Sequence, residues 1–80
     1  MMSYSHIASR RVFVVECRKR GAVRWFPSFV DAERPARYTE KSCSNPRAAA
    51  IAWATLRARS QPDMEFRVVN ETSGEVVWSA

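Results

Sequence analysis

The sequence has few of the residues that common catalytic motifs need. Its 80 residues include two glycines, two cysteines and one histidine. Two glycines exclude a glycine-rich phosphate-binding loop, and the patterns GxGxxG, GKS/T and HExxH do not occur. The single histidine, His6, precedes the first predicted strand, so we expect no cysteine to have a histidine base beside it. The sequence therefore predicts a protein that is not an enzyme.

Metal sites and membrane spans also lack the residues they require. Cys17, Cys43 and His6 do not complete a four-ligand zinc site on their own, and no CxxC spacing occurs. The longest apolar run, Ala48 to Ala54, is far shorter than the roughly 20 residues that cross a bilayer. Residues 1–11 lack the apolar stretch of a secretory signal. We expect no metal, no cofactor, no membrane partner, a cytoplasmic location and reduced cysteines.

The remaining composition is typical of one small globular domain. The chain is 46% apolar and 26% charged. Because many of the apolar residues are alanine, the core must consist mainly of the valines and of seven Trp and Phe residues: Phe13, Trp25, Phe26, Phe29, Trp53, Phe66 and Trp78. A domain of this size buries only about 60% of its unfolded surface, so its stability is low and a homodimer is an option. We expect one domain over residues 1–80, with residues 1–10 as a flexible tail.

The first half of the sequence predicts a β-hairpin. Residues 11–18 alternate, with Phe13, Val15 and Cys17 on the face suited to a core. Gly21 can adopt a positive φ in the turn that follows. Residues 23–30 then form a second predicted strand that Pro27 interrupts, so that proline belongs on a sheet edge, at a bulge or at the strand's end.

The second half predicts a helix followed by another hairpin. Residues 31–35 form a loop, and residues 36–41 form a short third strand with Tyr38 pointing inward. Asn45 can cap a helix that begins at Pro46 and runs to about Arg59. Residues 64–68 and 76–78 alternate as two strands around a turn at 70–74. The expected fold is α+β: a single antiparallel sheet of four or five strands with one helix packed on one face, in the order ββ(β)αββ.

The helix face that packs on the sheet is predicted from helical periodicity. Residues that recur at this period include Ala49, Ala52, Trp53 and Leu56, which we expect to contact the sheet. Ala54 and two arginines are then expected to point away from the sheet. The other face of the sheet is left to solvent.

Positive charge is concentrated near the N-terminus. The chain has a formal net charge of +5, with an excess of cations in residues 1–24 and an excess of acids in residues 61–80. Arg18, Lys19, Arg20 and Arg24 form a basic hairpin that is suited to contact phosphates, or that keeps a polar turn soluble. Trp25 and Phe26 are open to two interpretations: a stacking platform for bases, or core residues. The sequence thus supports a nucleic-acid-binding module as one hypothesis.

A second hypothesis concerns apolar residues on the face of the sheet opposite the helix. If Phe13 and Val15 face the helix, Val12 and Val14 point the other way, and Val77 is expected to join them. Three arginines would frame this valine patch: Arg11, Arg18 and Arg24. We expect a second copy of the chain or a target protein to dock there.

One architectural resemblance follows from the order of elements. An alanine-rich helix leads into Phe66-Arg67-Val68-Val69 and then Gly74-Glu75-Val76-Val77. This arrangement, over residues 11–79, resembles small strand-strand-helix-hairpin proteins of bacteriophages and mobile elements, several anti-CRISPR inhibitors among them. The resemblance carries no diagnostic motif and transfers no functional residue. It implies a stoichiometric inhibitor or adaptor of a larger protein or nucleoprotein complex. A basic member would bind an acidic protein surface or bound nucleic acid rather than imitate DNA.

Overall fold

Local signals in the sequence mark the ends of most elements. The computed structural model describes residues 11–80. Asn45 caps the helix, since its Oδ1 accepts a hydrogen bond from the Ala48 amide over 3.1 Å. Gly21 has a φ of +90° in the turn after the first strand, as predicted. The elements are β1 (Phe13–Lys19), β2 (Phe26–Pro27), β3 (Arg37–Tyr38), α1 (Pro46–Ser60), β4 (Met64–Asn70) and β5 (Val76–Ser79).

The strands form one antiparallel sheet in the order β2-β1-β4-β5, with β3 also paired to β1. The predicted fold class, α+β with one helix packed on the sheet, is confirmed. In residues 11–80, no helix is long and apolar enough to cross a membrane. The predicted tail, residues 1–10, lies outside the described residues.

The second strand is much shorter than the sequence predicts. Only Phe26 and Pro27 pair with β1, instead of the whole of residues 23–30. Pro27 lies on an edge strand, where its missing amide donor costs no ladder hydrogen bond. Asp31 then closes a tight turn, because its Oδ1 accepts hydrogen bonds from the amides of Glu33 and Arg34.

The core lies between α1 and the central strands. Phe13, Val15, Phe66 and Val68 are almost fully buried on the helix side of β1 and β4. Tyr38 packs against the same cluster from β3, as predicted. The predicted core face of both central strands is therefore confirmed.

The predicted packing face of the helix is only partly correct: Trp53 packs against the core cluster and Ala49 is half-buried, but the centre of the buried face lies elsewhere. Ala54 is 0% exposed and Ala50 is equally buried, whereas Ala52 is exposed and Leu56 is 63% exposed. Alanine occurs on every side of this helix, so the apolar pattern does not distinguish one face from another. The large side chains of the sheet fill the space between the layers, and the smallest helical residues fit closest to them.

A β-bulge changes the face that Val77 occupies. Val68 pairs with Trp78 and Val69 pairs with Val76, which leaves Val77 as an extra residue in β5. Val77 is half-buried and packs against the core cluster, so it does not join Val14 on the opposite face. The strict alternation that the sequence analysis assumed fails at this bulge.

Candidate binding surface

Cross-strand ion pairs cover part of the sheet face opposite the helix, hereafter the outer face. Arg18 Nε donates to Glu65 Oε1 over 2.6 Å, and Arg67 Nε donates to Glu16 Oε1 over 2.7 Å. Both pairs join residues that lie directly opposite each other in β1 and β4. These side chains are mostly buried, so this part of the outer face presents little unpaired charge.

Trp25 packs against both arginines of these ion pairs. Its ring centroid lies 4.3 Å from Arg18 Cζ and 4.4 Å from Arg67 Cζ. Contacts of this kind contribute about 0.5–1 kcal/mol each at exposed sites. Trp25 is thus neither in the core cluster on the helix side nor a free platform for bases. Neither of the two roles predicted for Trp25 from the sequence is therefore the one that it has in the fold.

The basic hairpin is only partly available to a partner. Arg18 is held by Glu65 and Trp25, and Arg20 Nη2 donates to the Pro62 carbonyl over 2.9 Å. Lys19 and Arg24 are exposed, and neither forms an ion pair with another residue of the 11–80 segment. The four predicted phosphate contacts therefore become two unpaired cations and two restrained arginines.

Exposed apolar side chains are concentrated beside this hairpin. Four of the six large apolar residues that the structure exposes lie within residues 23–30, which we call the hairpin edge. Val23 is 86% exposed and Phe26 is 53% exposed. Arg24 lies over the Phe26 ring at 5.4 Å, so a cation flanks the apolar surface. The other two exposed apolar residues of the hairpin edge are Phe29 and Val30.

The valine patch exists in a modified form. Val14, Val69 and Val76 lie opposite one another in β1, β4 and β5 and share the outer face. Val69 is only 8% exposed and Val14 is half-buried, so little apolar area remains there for a partner. Of the other predicted members, Val12 is half-buried, its carbonyl accepting a hydrogen bond from the Glu71 amide, and Arg11 is exposed.

Arg57, near the end of α1, carries an unsatisfied donor. Its Nε is buried and has no hydrogen-bond partner among residues 11–80. A buried donor without an acceptor costs about 1–3 kcal/mol. The guanidinium lies 5.4 Å from the centroid of the Trp53 ring. In the sequence, Arg57 is one of the two arginines that helical periodicity predicts to point away from the sheet.

A shallow cleft of about 420 Å³ lies between α1 and the chain around β3. Burial raises the pKa of the Tyr38 hydroxyl in its wall, and the nearby Cys43 thiol adds to this rise. Cys43 Sγ donates to the Thr39 carbonyl over 3.5 Å. Within residues 11–80, no group of three His, Cys, Asp or Glu side chains is placed to hold a metal ion.

Comparison with known proteins adds no assignment. No protein-family model, curated protein or solved structure matches this chain. The hairpin edge was the main feature that sequence reasoning missed, although an edge strand was one of the three positions that it left open for Pro27.

Proposed function

We propose that this chain is a non-enzymatic binding protein that acts as a stoichiometric inhibitor or adaptor on a larger protein or nucleoprotein complex. The observation that carries the proposal is the concentration of exposed apolar side chains at the hairpin edge, next to unpaired cations. Aromatic residues and arginine are enriched in protein interfaces. The anti-defence role that the architectural resemblance implies stays a prediction.

The chemistry of the hairpin edge favours an acidic protein surface as the target. Phe26 and Val23 supply apolar area, and Arg24 and Lys19 supply positive charge close by. A partner with an apolar pocket bordered by carboxylates would match both properties. Pro27 limits the pairing of β2 with another strand, so side chains rather than backbone groups provide the contact.

Nucleic-acid binding is the second candidate. Lys19 and Arg24 are free of ion pairs within the described residues, and a two-stranded ribbon fits the major groove of DNA. Against it, Arg18 and Trp25 contact each other and are not free for phosphates or bases. This candidate predicts a steep loss of binding with salt.

The test compares two exposed apolar residues at opposite edges of the sheet. Phe26→Ser removes the aromatic anchor, and Val76→Ser is the matched control, since Val76 is also exposed. Each variant and the wild type are used to capture partners from a bacterial lysate with and without nuclease treatment. The retained protein is identified, and its stoichiometry is measured by light scattering. We expect one protein retained at a fixed ratio by the wild type and Val76→Ser, and lost with Phe26→Ser.

Thermal melting checks that both variants fold. A partner that Phe26→Ser retains would contradict the proposed surface. A partner that disappears on nuclease treatment would favour the nucleic-acid candidate. Self-association without another partner would show that the hairpin edge is the interface of a homodimer.

A further inference from the structure

The charges of α1 are all of one sign. The helix contains Arg47, Arg57 and Arg59 and no acidic residue. None of the three forms an ion pair with any residue of the 11–80 segment. A surface with cations and without carboxylates complements an acidic partner.

One side of this helix faces the same sheet edge as the hairpin. Ala49 lines the cleft beside β3, together with Tyr38 and Val30. Residues four apart lie above one another on a helix, so Trp53 and Arg57 continue the row that Ala49 begins. We call this row the helix flank. Because β2 and β3 pair with the same edge of β1, the helix flank and the hairpin edge lie on the same side of the molecule.

The helix flank combines a cation with apolar surface. Arg57 Nε lacks an acceptor, its guanidinium borders the half-buried Trp53 ring, and the neighbouring Leu56 is 63% exposed. A guanidinium binds a carboxylate through two parallel hydrogen bonds. Because Arg57 Nε is buried, a carboxylate from a partner would use the two terminal nitrogens. It would neutralise a cation that has no ion pair among residues 11–80.

We propose that the helix flank binds an acidic amphipathic segment of the partner protein, with one carboxylate on Arg57 and an apolar side chain against Trp53 and Leu56. This inference rests on the proposed function, because it identifies the chemistry of the protein partner. Phosphate would satisfy Arg57 equally well, but the exposed Leu56 has no complement on a nucleic-acid backbone. A protein segment matches both parts of the surface.

The test uses a short synthetic amphipathic peptide with glutamates on one face and leucines on the other, and a control peptide with glutamine in place of glutamate. Binding is followed in ¹H–¹⁵N spectra of the full chain through the Nε–Hε signals of its arginines. We expect the acidic peptide, and not the glutamine peptide, to shift the Arg57 signal. The Arg47 signal, at the opposite end of α1, is expected to stay in place.

Variants separate a specific contact from general attraction. We expect Arg57→Gln to weaken binding of the acidic peptide by about tenfold or more, since a hydrogen bond to a charged group is lost. Arg57→Lys keeps the charge without the planar fork and is expected to be intermediate. Arg47→Gln makes the same charge change at an exposed site and is expected to bind like the wild type.

Three outcomes would overturn the inference: equal weakening by Arg57→Gln and Arg47→Gln, an unmoved Arg57 signal, or a larger Arg57 shift with single-stranded oligothymidylate than with the peptide. The Phe26→Ser variant keeps the two proposals apart. If it loses the cellular partner yet still binds the peptide through Arg57, both surfaces stand. If it keeps the partner while Arg57→Gln loses the peptide, only the hairpin edge is rejected.

Discussion

At the scale of single residues, neighbours in space decide what a side chain is available to do. Arg18 belongs to a basic run in the sequence, but Glu65 and Trp25 occupy its guanidinium in the fold. Arg57 is the reverse case, because the fold gives it an aromatic neighbour and no acceptor among the described residues. Sequence reasoning identified all of these arginines as charged and did not distinguish the restrained from the unpaired, since their partners are distant along the chain.

Tyr38 gives a prediction for alkaline pH. Desolvation raises its pKa above the ordinary value, and the Cys43 thiol raises it further. The folded state therefore favours the neutral phenol. Its contribution to stability is complete below about pH 10, the ordinary tyrosine pKa, and is lost as the pH rises through the higher pKa of the folded state. We expect the free energy of unfolding to fall in that window in wild type, and less so in Tyr38→Phe.

Denaturant unfolding at a series of pH values measures this difference. Loss of the hydroxyl adds a difference in stability that does not change with pH, so the comparison concerns the slope of stability against pH. Parallel curves for wild type and Tyr38→Phe across the alkaline range would contradict the burial of Tyr38.

At the scale of elements, the existence and order of the helix and strands were predictable from the sequence, but the rotation of the helix about its axis was not. Caps, turns and alternation are local, so Asn45, Gly21 and the Phe13–Val15 pattern placed the helix, the first turn and the core face of β1. The rotation of α1 depends on which residues fit against Phe13 and Phe66, which is a property of the assembled layers. The bulge at Val77 and the shortness of β2 likewise depend on how each strand pairs with its neighbour. The alternation of apolar and polar residues within one strand does not contain that information.

The observed rotation of α1 predicts unequal effects on stability for the same substitution at two alanines of the helix. Ala54→Leu adds bulk at a site with no exposure and is expected to destabilise the domain by about 1–3 kcal/mol, because overpacking displaces the sheet. Ala52→Leu makes the same change on the exposed side and is expected to alter stability by less than about 0.5 kcal/mol. Chemical denaturation of both variants measures the difference. A greater loss of stability in Ala52→Leu than in Ala54→Leu would support the packing face predicted from helical periodicity instead.

At the scale of the whole molecule, the fold brings opposite charges together from distant parts of the sequence. The N-terminal part of the chain is basic and the C-terminal part is acidic. Antiparallel pairing of β1 with β4 places Arg18 beside Glu65 and Glu16 beside Arg67, and Arg37 reaches Glu71. The charge polarity along the chain is thus partly cancelled on the surface. The cations without ion pairs that remain for a partner among residues 11–80 include those at the hairpin and on α1.

This cancellation predicts that the site of a lost carboxylate matters more than the change in net charge. Glu65→Gln frees Arg18 and Arg20 at the basic hairpin, whereas Glu75→Gln removes an exposed carboxylate that makes no ion pair within residues 11–80 and lies beyond the far end of β4. Both substitutions raise the net charge equally.

We expect Glu65→Gln to bind duplex DNA more tightly than wild type, with a salt dependence steeper by about one to two phosphate contacts. Glu75→Gln is expected to resemble wild type. Fluorescence anisotropy over a range of salt concentrations measures both slopes, and equal slopes in the two variants would show that net charge alone governs the attraction.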